Sequence, residues 1–384
     1  LTWTVGGTLI FGTVNQIKQF YNSVNALDDQ MVELRKVTDE TETTYNEFYH
    51  TANDVAKSLG VQTESVISST AAWAQMGYNI KDASDMAKDS EIFKNISENM
   101  DVTEATNTLI STMKAFKIDS NDALDGIISK VNEVGNKFAV TNKDIADGLE
   151  RSSSAMAVAN NSMDETIALL TSAIEITRDA DAAGTALRTI SMRIRGMDED
   201  TGEASDDLKE MAKSIKGLTG VTIFTDNTQQ TYKSTYEILK EISKVYDNLS
   251  DKKQAEVLEL LAGKRQGNVV ASMLTNFQSA EKALEVQANS AGGALREQDT
   301  YMDSISAHAN KFKETLVGTG QNIIDTTEVK KTFDILTGLL NVLDSVVSKL
   351  GTVPTLIATV SAAFSLTNRS AGRFKLYAPF LKVA

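Results

Sequence analysis

At five expected helix starts between residues 79 and 165, a side chain suited to capping a helix is followed three positions later by an acid. The pairs are Asn79 with Asp82, Asp101 with Glu104, Asp119 with Asp122, Thr141 with Asp144, and Ser162 with Glu165. This spacing satisfies orphan N–H groups at a helix start and places negative charge at the positive end of the helix dipole. Apolar residues follow at helical intervals: Leu109, Ile110, Met113 and Phe116, then Leu124, Ile127, Ile128 and Val131. Short helices joined by corners are the natural reading. Proline agrees, because only Pro354 and Pro379 occur and the first 353 residues carry no helix-breaking ring. With 6% aromatics, the chain is poorly supplied for a sheet core. The expected fold class is all-α: long amphipathic helices and irregular helical-hairpin repeats, with at most one short β-hairpin near 221–224, where Val221, Ile223 and Phe224 cluster.

Three stretches between residues 60 and 178 repeat the unit: GVQTESVISSTAAWAQMGYNIKDASDMA, DVTEATNTLISTMKAFKIDSNDALDGI and AVTNKDIADGLERSSSAMAVANNSMDETIALL. A helix pair buries one face only against neighbours, so a stacked array and a compact bundle of duplicated hairpins both fit. Upstream, Ile17, Phe20, Val24, Leu27, Met31, Leu34 and Val37 form one stripe of a long amphipathic helix over 16–59. Downstream of a charged break at 194–207, Ile238, Leu239, Ile242, Val245, Tyr246 and Leu249 form another stripe, and Ser250 is placed to cap the next helix. One or two long helices with a corner at Gly292 and Gly293 are expected over 270–349. Four regions result: 1–59, an apolar segment and long helix; 60–200, the hairpin core; 201–305, a second helical region; and 306–384, a helix and apolar segment.

The segment WAQMGYNIKDASDMA has the outline of a DNA-reading helix-turn-helix. Its second helix, however, would bring Asp82 and Asp85 to the phosphates. The chain carries 38 Lys and Arg against 52 Asp and Glu, a formal charge of −14, with no long basic stripe. The corner therefore reads as packing, with Trp73 and Met76 in the inter-helix seam, and no sequence-specific nucleic acid is expected.

Catalytic and cofactor patterns are missing from the sequence. There is no cysteine, and His50 and His308 are far apart, which removes disulfides, thiolate metal sites and His-rich zinc sites. LLAGKRQGN approaches a phosphate loop, but Leu258 stands where the first glycine belongs and Arg265 where Ser or Thr belongs. The acidic run DEDTGEASDD fails calcium-loop spacing and reads as a solvated loop. No cofactor, no metal and no catalytic residue is expected.

The first seventeen residues carry no charge, begin at Leu1 and lack a basic leader region, and read as the inside of a larger gene product. Leu350–Thr367 is also uncharged and just reaches membrane-spanning length, although its Thr, Ser, Gly and Pro content weakens that reading. The character of the chain changes after Thr367, as a truncation, fragment or frameshift would produce.

At GTALRTISMRIRG (184–196) and LELLAGKRQGNVVASML (258–274) the sequence resembles the core region of phage tail tape measure proteins of the TP901 type. AWAQMGYNIKDASDMA and FAVTNKDIADGLERSSSAMAVANNSMDETIALL extend the resemblance over about residues 15–320. Gly184, Leu187, Arg188, Arg193, Arg195, Gly196, Gly263, Lys264, Arg265 and Gly267 coincide with the family motifs, with structural roles implied. The resemblance implies a non-enzymatic ruler that lies in the tail-tube lumen, self-associates, and sets tail length. Its implied partners are the tail-tube protein, tail assembly chaperones, and baseplate or tail-tip proteins. Assembly in the host cytoplasm, and membrane contact while DNA crosses the host envelope, are further implications. A membrane-active or protein-binding helical scaffold of a prophage is the alternative reading.

Overall fold

Helix starts follow the capping pairs. In the computed structural model, which describes residues 26–196, 208–225 and 229–324, helix α1 (residues 26–37) and α2 (Glu42–Leu59) lead into hairpins. The first pairs α3 (Thr63–Gln75) with α4 (Ile80–Asn95). In the second, α5 (Val102–Phe116) continues through a 3-10 turn at Ser120–Asp122 and a π-turn at Leu124–Ile128 into α6 (Ser129–Lys137). The third pairs α7 (Asn142–Val158) with α8 (Met163–Thr177), and α9 (Ala180–Ile194) follows. Then come α10 (Leu208–Thr219), α11 (Thr235–Tyr246), α12 (Asp251–Thr275), α13 (Phe277–Gln287), α14 (Gly293–Met302) and α15 (Ile305–Ile324). The second pair is splayed: α5 packs on α4 and α7, and α6 on α7, α13 and α14. The fold is all-α. Among the described residues β structure is limited to one antiparallel bridge, Phe224 with Tyr232, at the place where a short hairpin was expected. Residues 29–314 make up one compact unit. A second comprises 1–28 and 315–384, of which the described residues, 26–28 and 315–324, are helical.

Asp101, Thr141 and Ser162 each form reciprocal capping boxes with the acid three positions on. Asn79 accepts from the Asp82 N–H at 3.0 Å. Asp119 departs from the pattern, because its side chain makes no capping bond and Asp122 closes a 3-10 turn. The widened π-turn that follows aims Asp125 at Ser129 Oγ (3.0 Å) and at the distant Gly292 N–H (2.9 Å). Tertiary partners, rather than a local cap, set the geometry there. Ser250 also makes no side-chain capping bond.

Two expected long helices are broken. The 16–59 helix stops at 38–41, where Thr38 Oγ1 donates to Leu34 O at 2.7 Å and Thr41 caps α2 through the Thr44 N–H at 3.2 Å. These short hydroxyl side chains compete with the backbone ladder. Ile17, Phe20 and Val24 lie outside the described residues, while Met31 and Leu34 are buried as expected. The 270–349 run divides at Asn276, whose amide reaches Ser172 O (3.1 Å) and Glu175 Oε2 (3.0 Å) on α8. It turns at Gly292, the expected corner, and divides once more at residues 303–304. Residues beyond 324 are outside the description, as are the uncharged tracts 1–17 and 350–367 and the acidic run 198–207. Among the described residues no helix is long and apolar enough to cross a membrane.

The core centres on α8, where every residue from Thr166 to Ile174 is buried. A helix apolar on all faces must be surrounded, and α7, α9, α12 and α13 surround this one. Gly148 on α7 permits the closest approach, since a Cβ there would sit 2.6 Å from Leu170 Cδ2. At the first corner Trp73 is fully buried, donates to Ser90 Oγ at 3.1 Å, and meets Tyr78 edge-on. Met76 is 39% exposed, contrary to the seam expectation, because it ends α3 just before the Gly77 turn.

The α3–α4 hairpin also buries acids that carry no sequence signal. Glu91 is fully buried against the Ser65 hydroxyl and Lys94, and burial raises its pKa. Burial pushes the Asp89 carboxyl up to about 7. A raised folded-state pKa makes this contribution complete below the ordinary carboxyl value of about 4, and it is lost as pH climbs through about 7. Asp89→Asn is expected to gain about 1–2 kcal/mol at pH 8, after discounting for partial exposure, and nothing near pH 4, read as Tm at each pH. The caps give a second test by chemical denaturation: Ser162→Ala costs about 1 kcal/mol, whereas Ser250→Ala costs under about 0.5 kcal/mol.

Candidate functional site

The two motif segments, far apart in sequence, meet where α9 packs on α12. At its start, Gly184 lets α9 approach α7, because a Cβ there would lie 2.8 Å from Gly148 O and 3.0 Å from Arg151 Cβ. Leu187 is fully buried, one turn further on. Arg188 faces solvent. At the end of α9 the backbone closes through Gly196, whose N–H donates to Arg193 O at 2.9 Å.

Helix α12 is a corner rather than a continuous rod. Gly263 adopts φ 64°, ψ −173° inside it, a conformation open essentially to glycine alone. The ladder therefore stops at this point, leaving carbonyls of the preceding turn without intrahelical donors. Arg193 supplies two: its Nε donates to Leu260 O at 3.3 Å and its Nη2 to Glu259 O at 3.4 Å. A guanidinium at the negative end of a helix dipole is also electrostatically favourable. Arg193 and Gly263 thus form one joint, 3.5 Å separating Arg193 Nη1 from the position a Gly263 Cβ would occupy.

Arg195 takes a different place. Its guanidinium lies over the Tyr232 ring, 5.1 Å from the centroid. Both Nη atoms are buried without a hydrogen-bond partner, and burial pulls the group below the usual arginine pKa. Lys264 and Arg265 project into solvent. Lys264 Nζ stands 4.0 Å from Glu259 Oε1 with 88% of its side chain exposed, a pairing of little energetic weight. Gly267 lies beside Leu258 across the corner, where a Cβ would make an ordinary 3.7 Å contact. The glycines of LLAGKRQGN thus make a helix corner, without the strand-to-helix loop that cradles phosphate.

The geometry brings together Gly184, Leu187, Arg193 and Gly263 as packing and joint residues, and leaves Arg188, Lys264 and Arg265 on the surface. Among the described residues no group of three or more His, Asp or Glu could hold a metal ion. His308 Nδ1 lies 2.9 Å from the carbonyl oxygen of Ser304, the residue just before its own helix. Nothing around Arg193 marks it as the cap of α12, since arginine pairs with carbonyls of any residue type; only the Gly263 interruption hints at carbonyls in need of a donor.

Arg193→Ala is expected to cost about 1–2 kcal/mol and to speed amide exchange around 259–267. Lys264→Ala should change stability by less than about 0.5 kcal/mol. Comparison with known proteins bears on the same region. No solved structure matches the chain. Residues 50–263 match the phage-related minor tail protein family, from within α2 to the Gly263 joint itself. With more than half of its length inside that match, the chain belongs to the family of phage-related minor tail proteins.

Proposed function

We propose that this minor tail protein acts as the tape measure of a long phage tail, a structural ruler in the lumen of the tube rather than an enzyme. The observation that carries the reading is the family match over 50–263, a span that contains the hairpin repeats, the first motif segment and the start of the second. A tape measure must be long. A continuous helix rises 1.5 Å per residue, so 384 residues reach roughly 580 Å at most, far beyond any folded unit of that size. The chain therefore works in two states: a folded form when free, and an elongated multimeric form in the tail. In the elongated form, copies bury one another's apolar stripes in the manner of coiled coils.

The partners that follow are further copies of the chain, the tail-tube protein, tail assembly chaperones, and baseplate or tail-tip proteins. Assembly takes place in the host cytoplasm, and the finished location is the tail lumen. A second reading, a membrane-active step during ejection, draws on the uncharged tracts 1–17 and 350–367. Flotation with liposomes of the full chain, but not of one lacking 350–384, would support it; equal behaviour of the two would remove it.

The ruler reading is tested on the parent gene. An in-frame deletion of 40 codons should shorten tails by about 60 Å, and a duplication of the same codons should lengthen them equally, by electron microscopy. Tails of unchanged length would reject the ruler role.

A further inference from the structure

We propose that α14 and the first turns of α15, residues 293–314, form a detachable strap, docked on the rest of the unit by polar contacts to helix ends and built to leave first when the chain extends. This deepens the ruler reading and rests on it for its purpose, whereas the docking is a property of the free chain.

The strap buries almost nothing apolar. Within 293–314 the buried residues are Gly293, Ala294, Gln298, Ala307 and Glu314. Most of its large apolar side chains face water: Ile305 is 89% exposed and Phe312 67%, while Met302 is half-buried, beside Gly60. The contrast with α8, sheathed in Leu and Ile, is complete. A segment whose buried aliphatic side chains are two alanines has little of the main force that holds a helix to a body.

Orphan groups at helix ends hold it instead. At the C-terminal end of α2, Leu59 O accepts from Gln298 Nε2 (3.2 Å) and Gly60 O accepts from Asn310 Nδ2 (2.9 Å) and Tyr301 Oη (3.3 Å). At the strap's own N-terminus the Gly292 N–H donates to Asp125 Oδ1 and the Ala294 N–H to Ser129 Oγ (3.1 Å). The far end is latched by Glu314, whose Oε2 accepts from Thr63 Oγ1 at 2.6 Å while its backbone carbonyl accepts from Asn53 Nδ2 at 3.0 Å. Water can replace each of these bonds on release, so the net free energy of each is small. Fit is steric: at Gly60 (φ 68°) a Cβ would come 2.7 Å from Ala307 Cβ.

The latch also responds to pH. Burial raises the Glu314 pKa. The Thr63 hydroxyl and N–H oppose this without cancelling it, Lys313 on the same helix opposes it too, Glu64 on α3 adds to the rise, and α2 contributes the uncharged Asn53. The docked state therefore favours the protonated acid, and docking weakens as pH rises through the docked value.

Hydrogen exchange of the full chain, followed by mass spectrometry and corrected for intrinsic rates, tests the strap. Amides of 293–314 should exchange as one block, at least about 100-fold faster than those of 163–194. Ala307→Leu, which collides with Gly60, should remove the block's remaining protection and leave 163–194 unchanged. Block protection should fall from pH 5 to pH 8 in the wild type and stay level in Glu314→Gln. Exchange of 293–314 within about threefold of 163–194, or loss of both regions together in Ala307→Leu, would overturn the proposal. An unaltered pH slope in Glu314→Gln would overturn the latch. No tail is involved, so these outcomes stand apart from the tail-length experiment.

Discussion

The burial of α8 is the constraint on which the compact unit depends. Its residues from Thr166 to Ile174 have no solvent-facing side, so the helix is stable only inside a sheath of others. Helices α7 and α9 supply one part of that sheath, and α12 and α13 supply another. The consequence is that segments far apart in sequence must converge. The joint between Arg193 and the Gly263 corner is where this convergence becomes specific, because it matches a donor on α9 to the broken ladder of α12.

The unit holds its parts by two kinds of force. Around α8 the hold is area: Ile145, Leu149, Met156, Leu170, Leu187 and Ile190 are all removed from water. At the periphery the hold is directional, through capping boxes, Asn276 on α8, and the polar clamp at Gly60. Under the proposed ruler role, folded when free and elongated when assembled, such a gradient would be of use. The polar edge can be exchanged for water at small cost, and the apolar centre only for another apolar surface, such as the stripe of a neighbouring copy.

Much of this was legible in the sequence, and the reasons differ by element. Capping pairs are local, so Asn79, Asp101, Thr141 and Ser162 announced their helices without tertiary information. Asp119 carried the same signal and failed, because Asp125 is drawn to Gly292, more than 160 residues away. The breaks at 38–41 and Asn276 were hidden by apolar periodicity that runs on across them. Of the motif residues, the glycines signalled close approach or a corner. The basic residues signalled nothing that distinguishes Arg193, a joint, from Lys264, a solvated side chain. The burial of acids such as Glu91 and Glu314 leaves no sequence trace, since the hydroxyls that hold them, Ser65 and Thr63, come from another helix, and a Lys three positions after Glu91 is equally at home on a solvated face.

The central claim is that one chain holds its apolar stripes together when free and surrenders them to other copies in the tail. The absence of cysteine allows spin labels to be placed at will on the solvent-facing Arg188 and Lys264 and their separation measured by electron–electron double resonance, in free protein and in assembled tails. In the free protein the separation should be under about 40 Å, the span of one folded unit. In tails the 76 residues between the labels should carry them roughly 110 Å apart at the helical rise. The same short distance in both samples would contradict the claim.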